Sequence, residues 1–524
     1  MLDKNKKRYR LRIIVPAFPA FNVYSYIADK TTALGPVWVA TCANKLNNWD
    51  VEVIDENNLR LHGPRAEFGA DHEYLQKIRP ADVVGFYGGL TSTVPRLYQL
   101  AKFYKNKGCI TLGGGQHFLD ENTQEGLENH LDYIMHGEGE DTIQELLTAF
   151  ENQNDVQKVK GISYLKDGKV FSTAEREKIE DFDKYPLPDF SLVRYAKIKM
   201  FPVSRIRGCG MHCEFCTVKD EIRCASADRL MEQISLAVEK HDARHFFVVD
   251  DLFGQQRAET LRFCQMLKDY QQRINIRLDL AVQIRLDKAR DSELLLAMRQ
   301  AGINIVCIGI ESPIEEELQM MNKHLKSEDM IRQISIYHKF GFMVHGMFIF
   351  GYPPKKDFPF KITIEERIKR YRDFIKKARI DTIQVLLPVP LPGTEFRDRL
   401  KKQNRIYPKE RIGWEYYDGN FPLFEPDAPD TPEAMQEAIK QIMGKFYRFR
   451  YVFMIGVNVI LFPAILFYFH NIQEGWRPWY RQWRNHLVRV AGWITMRGWK
   501  TAFKKDSFSD NLQKAKRDLK TVKK

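Results

Sequence analysis

Two hydrophobic rhythms alternate along this chain. Short, nearly continuous apolar runs recur between longer stretches in which apolar residues return every three or four positions. Residues 10–18 (RLRIIVPAF) predict a first strand and 31–48 a helix. WDVEVIDEN (49–57) and ADVVGFYGG (81–89) predict the second and third strands, and 94–108 a helix. CITLGGGQHF (109–118) predicts a fourth strand, LDYIMHGEGE (131–140) a fifth, and 141–150 a helix. Strands separated by amphipathic helices imply an α/β fold with a doubly wound parallel sheet. Ligands of such a sheet sit beyond the carboxyl ends of its strands. Three loops lie there: GGLTST with Gly88, Thr91 and Ser92, GGGQH with Gly114, Gly115, Gln116 and His117, and HGEGE with His136 and Glu138. Their glycines suit either the close approach of a bulky ligand or plain tight turns.

Residues 151–195 read as a connector with a small hairpin, KGISYLKDGKVFST, and a proline-rich YPLPDF. A second series of strands follows, at 201–208, 243–251, 274–283, 303–312, 343–353 and 381–390, each pair separated by a helix-length stretch. Six strands fall short of the eight of a closed barrel, so 196–400 is expected to form an open, partial (β/α)6 barrel. The expected division is then 1–150, 151–195, 196–400, a cap at 401–450 and a helical tail at 451–524.

Composition sharpens the ends of this picture. With 44% hydrophobic and 28% charged residues the chain is an ordinary globular protein, not a disordered or fibrous one. The basic N-terminal stretch lacks the apolar run of a secretory signal. Cys42, Cys109, Cys224, Cys264 and Cys307 are scattered, the usage of a reducing, cytoplasmic compartment. The net charge of +13 is concentrated late: residues 470–524 hold 14 Lys and Arg against 4 Asp and Glu, an excess of 10. Five of the eight tryptophans lie in the same tail, at Trp476, Trp479, Trp483, Trp493 and Trp499. Directly before it, 451–469 carries no charge. This combination favours a membrane interface over nucleic acid. As a helix the run would reach about 28 Å, but Asn458, Pro463 and the flanking Arg448 and Arg450 argue for peripheral or monotopic attachment at the inner face rather than a simple span.

The remaining three cysteines stand together in RGCGMHCEFC, as Cys209-x3-Cys213-x2-Cys216. Three thiolates in one loop call for a metal or an iron–sulfur cluster. A structural zinc site takes four protein ligands, and Cys224, across a charged stretch, is the only nearby candidate for the fourth. A [4Fe–4S] cluster held by three cysteines instead leaves one iron open. Here the sequence resembles the radical S-adenosylmethionine (radical SAM) superfamily, whose C-x3-C-x2-C motif has an aromatic residue before its last cysteine, here Phe215. The resemblance implies that the open iron chelates S-adenosyl-L-methionine (AdoMet) and that reductive cleavage yields a 5′-deoxyadenosyl radical, with a flavodoxin or ferredoxin as reductant. It also implies AdoMet-side roles at successive strand ends. Asp250 and Asp251 would lie near the methionyl amine, with Gln283 and Arg285 at the rim. Glu311 and Ser312 would lie near AdoMet, and Gly351 would give backbone contact with the adenosyl group.

A doubly wound, Rossmann-like domain ahead of such a barrel resembles the cobalamin-binding branch of that superfamily. GGLTSTVPR, TLGGGQHF and YIMHGEGE are similar to its loops. The D-x-H-x-x-G signature whose histidine ligates cobalt is absent, which leaves two readings: cobalamin without a protein axial ligand, or a domain that has kept the fold and lost the cofactor. With cobalamin, the resemblance implies C-methylation in the manner of a class B radical SAM methyltransferase. A related branch cyclises tetrapyrroles without methyl transfer. Tyr416, Tyr417 and Asp418 are candidates for a lid over the substrate. The membrane-type tail suggests a lipid-like substrate: a polyisoprenoid such as a hopanoid, a fatty-acyl chain or a tetrapyrrole.

Overall fold

The computed structural model describes residues 2, 6–59, 63–119, 121–323, 325–355, 358, 360–457, 472–503 and 506–522, with 472–483 described by backbone alone. Strands β1 (Tyr9–Val15), β2 (Trp49–Asp55), β3 (Val83–Tyr87), β4 (Ile110–Gly114) and β5 (Tyr133–Met135) are mutually parallel. Among the described residues they form one sheet in the order β2-β1-β3-β4-β5, extended by the antiparallel hairpin β6 (Ile162–Lys166) and β7 (Lys169–Ser172). The hairpin expected within the connector is therefore the last edge of this sheet.

The apolar runs explain why both faces are covered. Ile13, Val53 and Val83 pack on one side, with the helices Leu34–Ala43 and Gly139–Asn152. Their neighbours Ile14, Ile54 and Val84 pack on the other, under Val94–Asn106. A strand buried on both faces cannot alternate apolar with polar residues, so it reads as one hydrophobic run.

The second sheet holds β8 (Met200–Val203), then β11 (His245–Phe253), β12 (Asp279–Ile284), β13 (Ile303–Glu311), β14 (Met343–Ile349) and β15 (Thr382–Leu386), all parallel. Its order is β15-β14-β13-β12-β11-β8, and β8 does not pair with β15, so the barrel is open as expected. Between β8 and β11 the two-residue strands β9 (Ile206–Arg207) and β10 (Arg223–Cys224) pair antiparallel. Along the barrel strands, Phe246, Val248, Leu280, Val282, Val306 and Ile308 are buried under the helices. The alternate positions, among them Val249, Gln283 and Glu311, are half-buried and face the lumen.

Beyond the barrel, Trp414, Tyr416 and Tyr417 are buried in an aromatic cluster with Phe421 and Phe508. No helix among the described residues is long and apolar enough to cross a membrane. Most of the uncharged run, 458–469, lies outside the described residues, as do the side chains of Trp476, Trp479 and Trp483. The helix Ile472–Phe503 departs in part from the expected surface-lying helix. Trp499 is buried, stacked on Phe503, and Arg489 donates to the Tyr451 hydroxyl and the Ile380 carbonyl. This half of the tail spends its indole and guanidinium on the barrel's own surface.

Candidate active site at the cysteine loop

The β9–β10 ladder closes a loop that carries all three clustered cysteines. Its ends pass so closely that a Cβ on Gly208 would stand 2.2 Å from the Glu221 carbonyl oxygen, and Gly208 takes φ +85°. The Gly208 amide donates to Asp251 Oδ2 (2.8 Å), and the Cys209 and Gly210 amides both donate to the Asp220 carbonyl. Between the second and third cysteines, Glu214 is buried and turns toward the barrel. It accepts from Arg399 Nε and Nη2 (2.8 and 3.1 Å) and from the Tyr352 hydroxyl (2.6 Å). Phe215 packs edge-on to Tyr352. The loop is thus anchored at its stem and again at its middle, with the cysteines half-buried between the anchors.

Burial raises all three thiols above the ordinary cysteine value. The cations Arg285 and Lys323 act against this at Cys209 and Cys213, favouring thiolate. Cys216 feels the charge of both other cysteines, whereas Cys224 faces Arg205 and Asp250 and takes no part in the cluster. Among the described residues no three His, Cys, Asp or Glu side chains focus on one ion position. Three thiols without a fourth protein ligand, flanked by cations, suit a polynuclear cluster better than a zinc knuckle.

The expected AdoMet-side residues divide by strand parity. Asp251, Gln283 and Glu311 lie on the lumen side, with Arg285 just beyond β12 donating toward Met211 Sδ. Glu311 pairs with Lys323 at 2.8 Å, and Lys323 also donates to the Gly309 carbonyl. Asp250, expected near the methionyl amine, is fully buried on the opposite face of the strand. Its Oδ1 accepts from the Arg205 and Ile206 amides and the Ser204 hydroxyl, pinning the turn between β8 and β9. Ser312 is fully buried and donates to Glu317, which Arg367 holds in turn. Gly351 has φ +76°, and a Cβ there would stand 1.8 Å from Met435 Cε.

The loops of the first sheet meet this site. A cavity of about 400 Å³ is lined by Gly35, Gly85, Gly114, Gly115 and Gln116 from the first unit, and by Arg207 and Val249 from the second. A second of about 520 Å³ is lined by Tyr24, Thr91, Ser92 and Gln116, with Thr217, Leu386 and Asp418 from beyond β8. Gln116 borders both, and its Oε1 accepts from the hydroxyl of Thr217, the residue after Cys216 (2.9 Å). Four residues of these loops have close contacts of their own. Gly88 gives room to Phe118, whose ring a Cβ would meet at 2.5 Å. His117 is buried edge-on to Phe118 and Trp414, and burial first, then Arg397 and Lys409, lowers it to about 3. Glu138 pairs with Arg207 and Arg223, the two arginines of the loop stem. His136 bonds Ser163. Neither histidine lines either of the two cavities.

Sequence reading missed Glu214, Lys323 and Thr217. A carboxylate between two metal-type cysteines was a usable signal for Glu214; nothing marks Lys323 in its local sequence. It also missed Gln384, whose amide donates to the hydroxyl of Tyr24 on the second cavity's wall. Asp418, expected in the lid, borders this cavity with Oδ2 buried and unpartnered among the described residues.

Residues 203–367 match the family described as the Radical SAM superfamily. An uncharacterized methyltransferase of Pyrococcus horikoshii is 26% identical over 411 residues, covering 75% of this chain and 84% of that protein. The anaerobic magnesium-protoporphyrin IX monomethyl ester cyclase of Rubrivivax gelatinosus is 27% identical over 443 residues, covering 79% and 73%. Among solved structures, the radical S-adenosylmethionine methyltransferase TsrM of Kitasatospora setae, with cobalamin and a [4Fe–4S] cluster bound, shares the fold. Its TM-score is 0.59 at 16% identity, over 76% of this chain and 78% of that one. The three cysteines at the mouth of the open six-stranded barrel thus lie inside the segment, 203–367, that matches the Radical SAM superfamily.

Proposed function

We propose that this radical SAM enzyme methylates an unactivated carbon of an apolar, lipid-like substrate with the help of cobalamin. The observation that carries the reading is the pair of adjoining cavities. One is a glycine-lined slot at the carboxyl edge of the first sheet, the other lies beside the barrel mouth, and Gln116 borders both. The slot suits a flat macrocycle: a Cβ on Gly35 or Gly137 would meet nothing within 4 Å. When bound, the cluster with AdoMet supplies a 5′-deoxyadenosyl radical and the corrinoid supplies a methyl group.

The chain's own residues do the positioning. Cys209, Cys213 and Cys216 hold the cluster in the loop that Glu214 and Asp251 anchor. Lumen-facing Gln283, Arg285 and Glu311 are the AdoMet contacts in this reading, while Asp250, Ser312 and Gly351 shape the strand ends around them. Gly114, Gly115 and Gln116 border the corrinoid, and Thr91 and Ser92 lie on the wall of the adjoining second cavity. Phe18, Ile27, Leu90, Leu386 and Leu391 give the second cavity its apolar wall, which excludes water from a reactive intermediate and suits a lipid-like substrate. A flavodoxin or ferredoxin serves as electron donor.

Anaerobic reconstitution with iron and sulfide, followed by AdoMet and reductant, tests the reading. The wild-type protein forms 5′-deoxyadenosine, and Cys213→Ala forms none while keeping its fold. Continued AdoMet cleavage by that variant refutes the ligand assignment. With methyl-labelled AdoMet, label appears in the product. The similarity to the Rubrivivax cyclase, 27% identical against 26% for the methyltransferase, favours a second reading: oxidative cyclisation of a tetrapyrrole. Product without label selects it.

A further inference from the structure

At the opposite end of the barrel from the cysteine loop, a cavity of about 1770 Å³ opens beside the turns that lead into β12, β14 and β15. Eight arginines and three lysines line it, against only two aspartates, Asp373 and Asp381. Among the described residues none of these eleven cations forms an ion pair. Elsewhere the chain pairs such groups closely, as in Arg12–Glu52 and Arg367–Glu317. Arg484 and Arg489 each bury Nε without a hydrogen-bond partner among the described residues. Burial first, and then Arg484, pushes Arg299 below the ordinary arginine value. So many gathered cations repel one another and concentrate a positive field that an anion relieves.

The rim decides which anion. Arg448, Arg450 and Tyr451 line the cavity, and Phe449 and Phe453 beside them are 60% and 71% exposed. Large apolar side chains projecting next to cations are costly beside a soluble polyanion and favourable at a bilayer interface. We propose that this cavity binds the phosphate head groups of anionic lipids, with Phe449 and Phe453 entering the adjoining interface. The cysteine loop, at the other end of the barrel, is then held away from the bilayer surface. The assignment is independent of methyl transfer, and AdoMet cleavage by the same preparation reports on the catalytic reading separately.

The test is cosedimentation of the full chain with vesicles of phosphatidylcholine alone and of an equal mixture with phosphatidylglycerol, at low and high salt. Binding is expected only to the anionic vesicles and is weakened by salt. The triple variant R372Q/K376Q/R450Q should bind roughly a hundredfold more weakly, with AdoMet cleavage unchanged. The control K102Q/K158Q/K169Q, equal in charge removed but on the first unit, should bind like wild type. If the triple variant misfolds, Arg450→Gln alone, at an exposed position, should weaken binding about fivefold. Equal binding to both vesicles, or equal loss in the control, overturns the proposal. So does stabilisation by inorganic pyrophosphate without vesicle binding, which would assign the site to a soluble phosphate.

Discussion

Glu214→Gln removes one charge from the middle of the cysteine loop and leaves every cysteine in place. The carboxylate receives two hydrogen bonds from Arg399 and one from Tyr352, and its side chain is 4% exposed against 16% for Arg399. Breaking one side of a buried pair costs about 3–5 kcal/mol. Arg399 also reaches the Pro353 and Pro354 carbonyls and keeps some water access, and glutamine retains an acceptor, so the expected cost is about 2 kcal/mol. That cost falls on local opening of the loop, whose equilibrium should shift roughly 30-fold. The assay is the rate at which a chelator strips iron from the anaerobically reconstituted protein. Stripping should accelerate about 30-fold in the variant, and adding Arg399→Met should change it little further, because the pair acts as a unit. A rate within about threefold of wild type, the size of an ordinary surface effect, refutes the anchoring argument.

Two buried groups predict pH dependences of opposite sign. His117 is held neutral, lowered to about 3 from its ordinary 6.5 by burial, so between these values the unfolded chain binds the extra proton and stability is lost as the pH is lowered. Wild type should lose about 2 kcal/mol of denaturant stability from pH 6.5 to 5 relative to His117→Leu, and parallel curves would sink the argument. Asp418 is raised by burial to about 7, so the folded chain keeps its proton where the unfolded chain has lost it, and stability falls as pH rises from about 4 to 7. Asp418→Asn should flatten that fall and gain about 2–4 kcal/mol at pH 8; no gain in denaturation at that pH would show the carboxyl to be better solvated than its surroundings suggest.

What the sequence determined alone was everything that depends on local repetition. Doubly buried strands need unbroken apolar runs, so β1 to β4 were legible at RIIV, VEVI, VVGF and ITL. The Cys209–Cys213–Cys216 spacing declares its chemistry without reference to the rest of the chain. What only the tertiary structure decided was which partner each polar or glycine position meets. Adjacent Asp250 and Asp251 look equivalent in VVDD, yet the pleat sends one to the β8–β9 turn and the other to the cysteine loop. Gly351 and Met435 are 84 residues apart in number and in contact in space. Glu138 meets Arg207 and Arg223 only because the two sheets dock edge to mouth. The eleven cations at the base of the barrel come from turns and helix ends spread between residues 277 and 489. Periodicity acts over a few residues along the chain, whereas charge and packing act through space, and only folding sets those distances.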